Sequence, residues 1–386
     1  MRIAIIGNGF SGATLPLSQH LNELGYNVDC YYLVFEGAEF IESLDFDYKA
    51  TGNKVIKIKK SNTIYNYLDQ SININLLPNY SVNRKSKLLL IGYYRLLQNK
   101  RRMKRYAEHI ISQGYDKIYV IVHTDYEVQI CRYLQEAHVP FFIGYHEVLK
   151  SHLSNRTLKR EVEDSIQFGT KIVVHSEQTK KDILDNTDVL NLENRIAVIP
   201  FGPFESYRAY QIKDIPNVPY DYFLYLGFIS PHKGLKILYE AFANDERLKD
   251  CKIVVAGRGR DDTLELMSKD RHFTIIHKYV KNDELCSLMA KCKAVICPYL
   301  SASQSGLVQT AVVFGKPVIA TDVGAFREII INGVNGYIVK PGSSKDLANG
   351  IVAFLSSSLG NLNEKNLAPK FHWDVIVEKY INNQLL

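Results

Sequence analysis

Three stretches carry residue types whose spacing could do chemistry on an anion. The first is the turn at 227–234, where Lys233 follows an apolar run and precedes a second one. A lysine there is a mobile point charge suited to a phosphate, although a surface lysine near a helix start reads the same way. The second is 298–328. An apolar strand at 294–299 ends in a polar turn at 301–305, and a helix begins at Ser305 and Gly306 and ends at Gly315. A strand at 317–321 follows, and its exit at 322–324 opens another helix. Two strand-to-helix turns thus leave one edge of a sheet, the carboxyl edge, where ligands bind in open α/β sheets. The free N–H groups at a helix start carry roughly half a positive charge, and Gly306 lets backbone approach a ligand closely. The expectation is a diphosphate seated on this helix start, beside the alternative of an ordinary βαβ unit with serine caps.

The third stretch is Gly7-Asn-Gly-Phe-Ser-Gly12, a literal GxGxxG between an apolar strand at 2–7 and a helix expected at 13–25. In that context it is the dinucleotide-binding fingerprint. The fingerprint also requires an acid at the end of the second strand, at 28–34. Tyr32 stands near that place and Glu36 comes too late. Three histidines close expected strands on the same edge: His123, His146 and His175. A histidine in such a place is more often structural than catalytic, and His146, followed by Glu147, is the strongest of the three.

These residues need a scaffold that presents strand ends together. The chain has 386 residues, of which 46% are hydrophobic, enough for two domains with their own cores. Strands are expected at 55–58, 118–123, 141–146, 171–176 and 196–200, with helices between them at 126–137 and 177–184, so the sheet is parallel. Prolines at 200, 203, 216 and 219 place a hinge between 203 and 219. A second α/β unit then begins with a strand at 222–227 and a helix at 234–243. Strands at 252–257 and 273–279 and a helix at 283–291 lead to the stretch at 298–328. A strand at 336–339, a helix from Ser344 and a last helix from Trp373 follow.

Six scattered cysteines form no CxxC pair, which reads as small buried hydrophobes in a reducing compartment, with no metal site. The start reads as a strand rather than a signal peptide, and no apolar run reaches the ~18 residues that span a bilayer. Charge is unevenly placed. Residues 70–107 hold no acid and nine cations against a net charge of +6, which leaves the rest of the chain at −3. The cations at 84–105 alternate with leucine, isoleucine and tyrosine, the pattern of an amphipathic helix on an anionic membrane surface. A solvated helix packed on its own domain is the plainer reading. No motif for nucleic-acid binding accompanies the basic stretch.

Over most of its length the sequence resembles a family-4 glycosyltransferase with the GT-B fold, of the bacterial surface-polysaccharide type. LYLGFISPHKGLKILYEAF resembles the family's phosphate-binding turn, with Lys233 in the basic position, and IVVAGRG the next strand and glycine turn. VKNDELCSLMAKCKAVICPY resembles the segment leading to the sugar-nucleotide site. SGLVQTAVVFGKPVIATDVGAFRE resembles the family signature, with Gly315, Pro317 and Glu328 in place. GYHEV matches the position of an active-site histidine, VVHSEQTKKDI and IPFG the usual end of the first domain, and HWDVIVEKYI the helix that crosses back onto it.

The resemblance implies two Rossmann-like domains facing each other across a cleft. The N-terminal acceptor domain comprises 1–203 plus the C-terminal helix 372–386, and the nucleotide-sugar donor domain 204–371. It implies metal-independent, retaining transfer of a sugar from a nucleotide diphosphate sugar to a glycan or lipid-linked glycan. No cofactor is implied beyond that co-substrate. The location implied is cytoplasmic, peripheral on the inner membrane face if 84–105 touches lipid. Carried over residue by residue, His146 and Lys233 are catalytic. The donor meets Ser230, Lys233, Gly257, Arg258, Tyr279, Val280, Ser303, Gln304, Ser305, Gly306, Leu307, Thr310 and Glu328. The loop of Gly9, Phe10, Ser11 and Gly12 faces the acceptor.

The sequence also departs from the family pattern. Ala302 and Thr310 stand where two glutamates are common, and Ile229 and Ser230 where many members have an arginine; Arg258 or Arg260 could supply that charge. Ser303-Gln-Ser-Gly306 fits a variant found in some members. Two other readings stay open: a catalytically inactive sugar-nucleotide-binding partner subunit, and a dinucleotide-dependent oxidoreductase resting on GxGxxG alone.

Overall fold

Short apolar runs rich in β-branched and aromatic residues become parallel strands, most of them buried on both faces. The computed structural model describes all residues except 47–53, 82–88, 146–162, 164–165, 188–190, 303–304, 361 and 386. The chain falls into two units: Met1–Phe201 with Trp373–Leu386, and Gly202–His372.

Unit 1 begins with β1 (Arg2–Gly7), α1 (Ser11–Glu23) and β2 (Asn27–Phe35). A small hairpin, β3 (Phe40–Ile41) and β4 (Leu44–Asp45), precedes β5 (Ile56–Lys57) and β6 (Asn73–Asn79). Then come α2 (Leu89–Ser112), β7 (Lys117–Val122), α3 (Asp125–Glu136), β8 (Phe141–Tyr145), β9 (Ile172–Val174), α4 (Glu177–Leu184) and β10 (Ile196–Val198). Among the described residues these build an eight-stranded sheet in the order β10-β9-β8-β7-β1-β2-β6-β5. All its pairings are parallel except β5 with β6.

The strand expected at 55–58 shrinks to the two-residue edge β5. The strand at 73–79 was not expected; asparagine and proline are depleted in strands. It is held in place through those polar residues: Asn73 donates to Asp29 Oδ1 at 2.7 Å and Asn75 to the carbonyl of Cys30 at 3.3 Å. Helix starts follow their caps. The Thr124 hydroxyl accepts from Tyr126 N–H, and the Glu127 carboxylate accepts from Thr124 N–H in return, closing a capping box. The Ser176 hydroxyl accepts from Thr179 N–H.

Unit 2 comprises β11 (Tyr222–Leu226), α5 (Leu235–Asn244), β12 (Lys252–Ala256), α6 (Thr263–Met267), β13 (Phe273–Ile276), α7 (Asn282–Lys291) and β14 (Ala294–Cys297). It continues through α8 (Gly306–Val313), β15 (Val318–Thr321), α9 (Phe326–Ile329), β16 (Gly336–Val339) and α10 (Ser344–Leu355). Its six strands are all parallel, in the order β13-β12-β11-β14-β15-β16. After β11 the order first runs outward to β12 and β13, then restarts on the other side with β14. The switch point therefore lies between β11 and β14, and loops leaving those two strands flank the crevice where such sheets bind ligands.

The last helix, α11 (Trp373–Asn382), belongs to unit 1 and packs on α1. Trp373 stacks on His20 with ring centroids 5.3 Å apart, and Tyr380 meets Tyr119 edge-on at 5.9 Å. Among the described residues, no helix is long and apolar enough to cross a membrane.

Candidate active site

The carboxyl edge of the unit 2 sheet gathers most of the residues singled out in the sequence. Gly227, after β11, and Gly257, after β12, let the two exits run side by side: a Cβ on Gly257, at φ +154°, would stand 1.8 Å from the Gly227 carbonyl oxygen. The two loops are laced together. Ile229 N–H donates to Arg258 O at 2.8 Å, and Arg260 N–H donates back to Ile229 O at 3.0 Å. This brings Ser230, Gly257 and Arg258 to one place. The Arg258 guanidinium lies 5.7 Å from the centroid of the Tyr279 ring, on the exit of β13.

Lys233 ends the short 3-10 turn Pro231–Lys233 that precedes α5. The turn is tied to the next loop by Leu300 N–H donating to His232 O at 2.8 Å. Gly234, at φ +73°, presses against the Pro298 carbonyl, where a Cβ would stand at 1.9 Å. The result is that Lys233 Nζ sits 3.7 Å from the centroid of the Tyr299 ring. The Tyr299 phenol is buried, and the side chain of Ser305, the residue that opens α8, lies close enough to favour its charged form against that burial. Burial holds that phenol far above its ordinary range, so it stays neutral. The ammonium group of β11's exit and the helix start of β14's exit thus share one aromatic platform at the switch point. Tyr299 was not among the expected site residues; an aromatic ending an apolar strand signals burial and nothing more.

Two donor-side residues, Gly306 and Thr310, are engaged in the packing of unit 2 itself. Gly306 is small because of Phe204, whose ring would lie 2.7 Å from a Cβ there, so the close approach is made by the chain's own side chain. Thr310 is buried and donates its hydroxyl to Gly306 O at 2.8 Å, an internal bond of α8 that keeps it from the helix mouth. Val280 is buried too, leaving backbone alone as its contact surface. Leu307 lies half-buried in the first turn of α8. Glu328, in α9, is in place but ion-paired with Lys370 at 3.2 Å. Ser303 and Gln304 lie outside the described residues. The Ser230 hydroxyl is 3.1 Å from His232 Nδ1.

In unit 1, the GxGxxG turn has its left-handed residue at Phe10, φ +61°, and the Phe10 ring meets His123 edge-on at 5.7 Å. The helix begins earlier than expected, at Ser11. Its mouth is closed by the β3–β4 hairpin. Gly12 N–H donates to the Glu42 carboxylate at 2.9 Å, and the buried Ser11 hydroxyl is bonded to Ile41 O and lies 3.2 Å from the Ser43 hydroxyl. Burial raises the Glu42 carboxyl to about 7 against the lowering effect of the Gly12 N–H. The seat that a dinucleotide's diphosphate would take therefore holds the chain's own carboxylate. Where the fingerprint needs an acid, the Tyr32 hydroxyl is turned inward, 2.5 Å from Thr14 Oγ1. Both anchors of the oxidoreductase reading are thus engaged in internal structure, and Ser11 and Gly12 are buried.

His175 is structural. Its Nδ1 lies 2.7 Å from Ile199 O, its ring stacks on Phe201 at 3.6 Å, and burial lowers its pKa to about 4. His146 lies outside the described residues. The six cysteines are buried as thiols rather than disulfides. Among the described residues, no three His, Cys, Asp or Glu side chains converge as a metal cage.

Two Rossmann-like units, the second with its ligand loops at a switch point, define the GT-B class. The chain superimposes over its full length on solved structures of that fold. Anabaena HepE in complex with UDP and glucose gives a TM-score of 0.66 at 16% identity, covering 100% of this chain and 99% of that one. Sucrose-phosphate synthase from Thermosynechococcus elongatus gives 0.64 at 16% identity, with the same coverage.

Residues 208–368 match the family described as Glycosyl transferases group 1, so this part of the chain is a group 1 glycosyl transferase domain. An uncharacterized glycosyltransferase of Methanocaldococcus jannaschii is 27% identical over 194 residues, 48% of this chain and 52% of that protein. The phosphatidyl-myo-inositol mannosyltransferase of Mycobacterium leprae is 26% identical over 167 residues, 40% of this chain and 44% of that protein. The matched stretches span about half the length, or less, of these curated relatives.

Proposed function

We propose that the chain transfers a glycosyl group from a nucleotide diphosphate sugar to a glycan or lipid-linked glycan, with retention and without a metal ion. The observation that carries this reading is the juxtaposition of Lys233, Tyr299 and Ser305 at the switch point of a group 1 glycosyl transferase domain. Breaking the bond between the anomeric carbon and the phosphate oxygen leaves positive charge on the sugar and negative charge on the diphosphate. Fixed donors aimed at that developing charge are usually the largest catalytic contribution. Lys233, the N–H groups of Ser305, Gly306 and Leu307, and the Gly257–Arg258–Gly259 turn supply them. With Ala302 and Thr310 in the places of carboxylates, no protein nucleophile is invoked. The acceptor hydroxyl attacks from the leaving-group face, the new C–O bond forms as the old one breaks, and the departing phosphate takes the proton.

In this reading His146 holds a sugar hydroxyl near the reacting carbon. Glu328, positioned by Lys370, takes the ribose or sugar hydroxyls. Tyr279 and the Val280 backbone take the base, and the backbone of Gly9 and Phe10 meets the acceptor. The known ligands of one neighbour, UDP and glucose in HepE, support a uridine donor as the first to try.

The test is a thermal-shift and turnover screen of the purified chain with UDP-, GDP-, TDP- and ADP-sugars, NAD and FAD, with and without EDTA. A ligand that binds only the native state must raise its melting temperature. We expect one nucleotide sugar to stabilise the chain and to be turned over in EDTA, with Lys233→Ala losing both effects. Stabilisation without turnover against any glycan acceptor favours the inactive-partner reading, for which the missing carboxylates at 302 and 310 are the motive. Stabilisation by NAD or FAD alone, or a fully active Lys233→Ala, overturns the proposal.

A further inference from the structure

The cations of the basic stretch are divided by the fold into two sets. Arg102 is buried, with its guanidinium 3.9 Å from the centroid of the Tyr80 ring and NH1 donating to Pro78 O at 3.0 Å. Arg95 donates to Ser81 O at 3.1 Å and lies 3.5 Å from the Glu36 carboxylate. Both are used in packing α2 against unit 1, together with the buried Met103, Tyr106, Ala107 and Ile110. Arg84, Lys85 and Lys87 lie outside the described residues.

Lys100, Arg101, Lys104 and Arg105 form the second set, and all four are exposed. At 100° per residue they share the outward side of α2 with Tyr93, Tyr94 and Leu97, and Ile91 stands at its border. Those four apolar side chains are 63%, 61%, 38% and 47% exposed, respectively. Along one side of one helix, then, two turns of large apolar and aromatic side chains run into two turns of cations. The first acid on that side is Glu108, 4.0 Å from Lys104. A helix with this order suits a boundary between acyl chains and anionic headgroups. Tyrosine bodies enter the boundary while their hydroxyls stay wet, and cations meet lipid phosphates.

We propose that the outward side of α2 docks the protein on an anionic phospholipid surface, with Ile91, Tyr93, Tyr94 and Leu97 entering the headgroup layer and Lys100, Arg101, Lys104 and Arg105 contacting phosphates. The partner is assigned by charge complementarity: one sign of charge along a row, flanked by exposed apolar groups, on a helix whose other side is already packed. This docking needs no catalytic step and stands whether or not the transfer reading holds.

The experiment is co-sedimentation of the full chain with vesicles of phosphatidylcholine mixed with phosphatidylglycerol, and with phosphatidylcholine alone, across a salt series. We expect binding to the mixed vesicles that weakens with salt, and little to the neutral ones. Each cation near such a surface contributes roughly fivefold. A variant with Lys100→Gln, Arg101→Gln, Lys104→Gln and Arg105→Gln should therefore lose at least ~100-fold, and Tyr93→Gln with Tyr94→Gln and Leu97→Gln should lose the salt-insensitive remainder. Both variants should melt close to the parent chain, since the altered side chains are on the exposed side of α2. Four outcomes overturn the proposal: no binding to either vesicle; unchanged binding by both variants; self-association of the parent chain through this side that the variants abolish; or preferential binding of double-stranded DNA at the same salt.

Discussion

Replacing Tyr299 tests whether the aromatic platform, rather than the lysine alone, makes the diphosphate seat. The ring has two roles. Its face lies 3.7 Å beneath the Lys233 ammonium, and its hydroxyl lies beside the Ser305 side chain. Tyr299→Phe keeps the face and removes the hydroxyl's polar contact, which costs about 1 kcal/mol, or roughly fivefold in nucleotide affinity. Tyr299→Leu removes both, and loss of a partly desolvated cation–π contact adds ~1–2 kcal/mol, so the total reaches roughly 30- to 150-fold. The side chain is a positioning residue, so the loss should fall on kcat/KM and on nucleoside diphosphate binding measured by calorimetry. Melting curves separate it from the stability cost of a smaller core residue. A cycle with Lys233→Ala sharpens the result: once the ammonium is gone, Tyr299→Leu should do no further harm to binding beyond the ~fivefold hydroxyl effect. Equal losses in the Phe and Leu variants, or additive losses with Lys233→Ala, would refute the platform argument.

Two further outcomes follow from the packing. Burial raises the Glu127 carboxyl from the ordinary 4.5 to about 7, even though Thr124 N–H donates to it at 2.6 Å. The neutral form is therefore fully stabilising below pH 4.5, and that contribution is lost as pH rises through 7. Glu127→Gln should thus gain on the parent chain between pH 4.5 and 7, by roughly 3 kcal/mol at most, and level off above; a pH-independent difference in chemical denaturation would contradict this. Gly257→Ala places a Cβ 1.8 Å from the Gly227 carbonyl oxygen at a φ that L residues avoid. It should cost roughly 2–4 kcal/mol and abolish nucleotide binding, so a variant melting with the parent would show that the two loops are not laced as described.

How much of this could be read in advance depended on the distance over which each residue acts. The unit 2 elements were legible because its strands are short, mostly apolar runs set between helical patterns, and Lys233 and Ser305 could be placed at strand exits by counting. Their meeting on Tyr299 could not, since it depends on the pairing of β11 with β14 and on a lysine turning onto a ring 66 positions away. Glu42 was illegible for the same reason: its carboxylate reaches Gly12 across 30 positions through a hairpin of two-residue strands. Asn73 and Asn75 of β6 conceal a buried strand because their side chains donate to β2, a neighbour that no local pattern announces. In the basic stretch, charge was visible, but the division between Arg95 and Arg102 on one side and the outward cations on the other required knowing where Tyr80 and Glu36 lie.

The closure of unit 1 by α11 has a consequence for synthesis. Every residue of unit 2 leaves the ribosome before the helix that covers Ala13, Leu17, Tyr119 and Ile121, the residues that line one cavity with Trp373, Ile376 and Tyr380. The second unit can therefore complete its fold on the nascent chain, while the first unit, although made earlier, keeps an apolar strip uncovered until residues 373–382 arrive. Domains ordinarily fold in the order in which they are made; here that order is inverted. A chain arrested before position 373 should present the strip to chaperones and proteases, with its second half already sound.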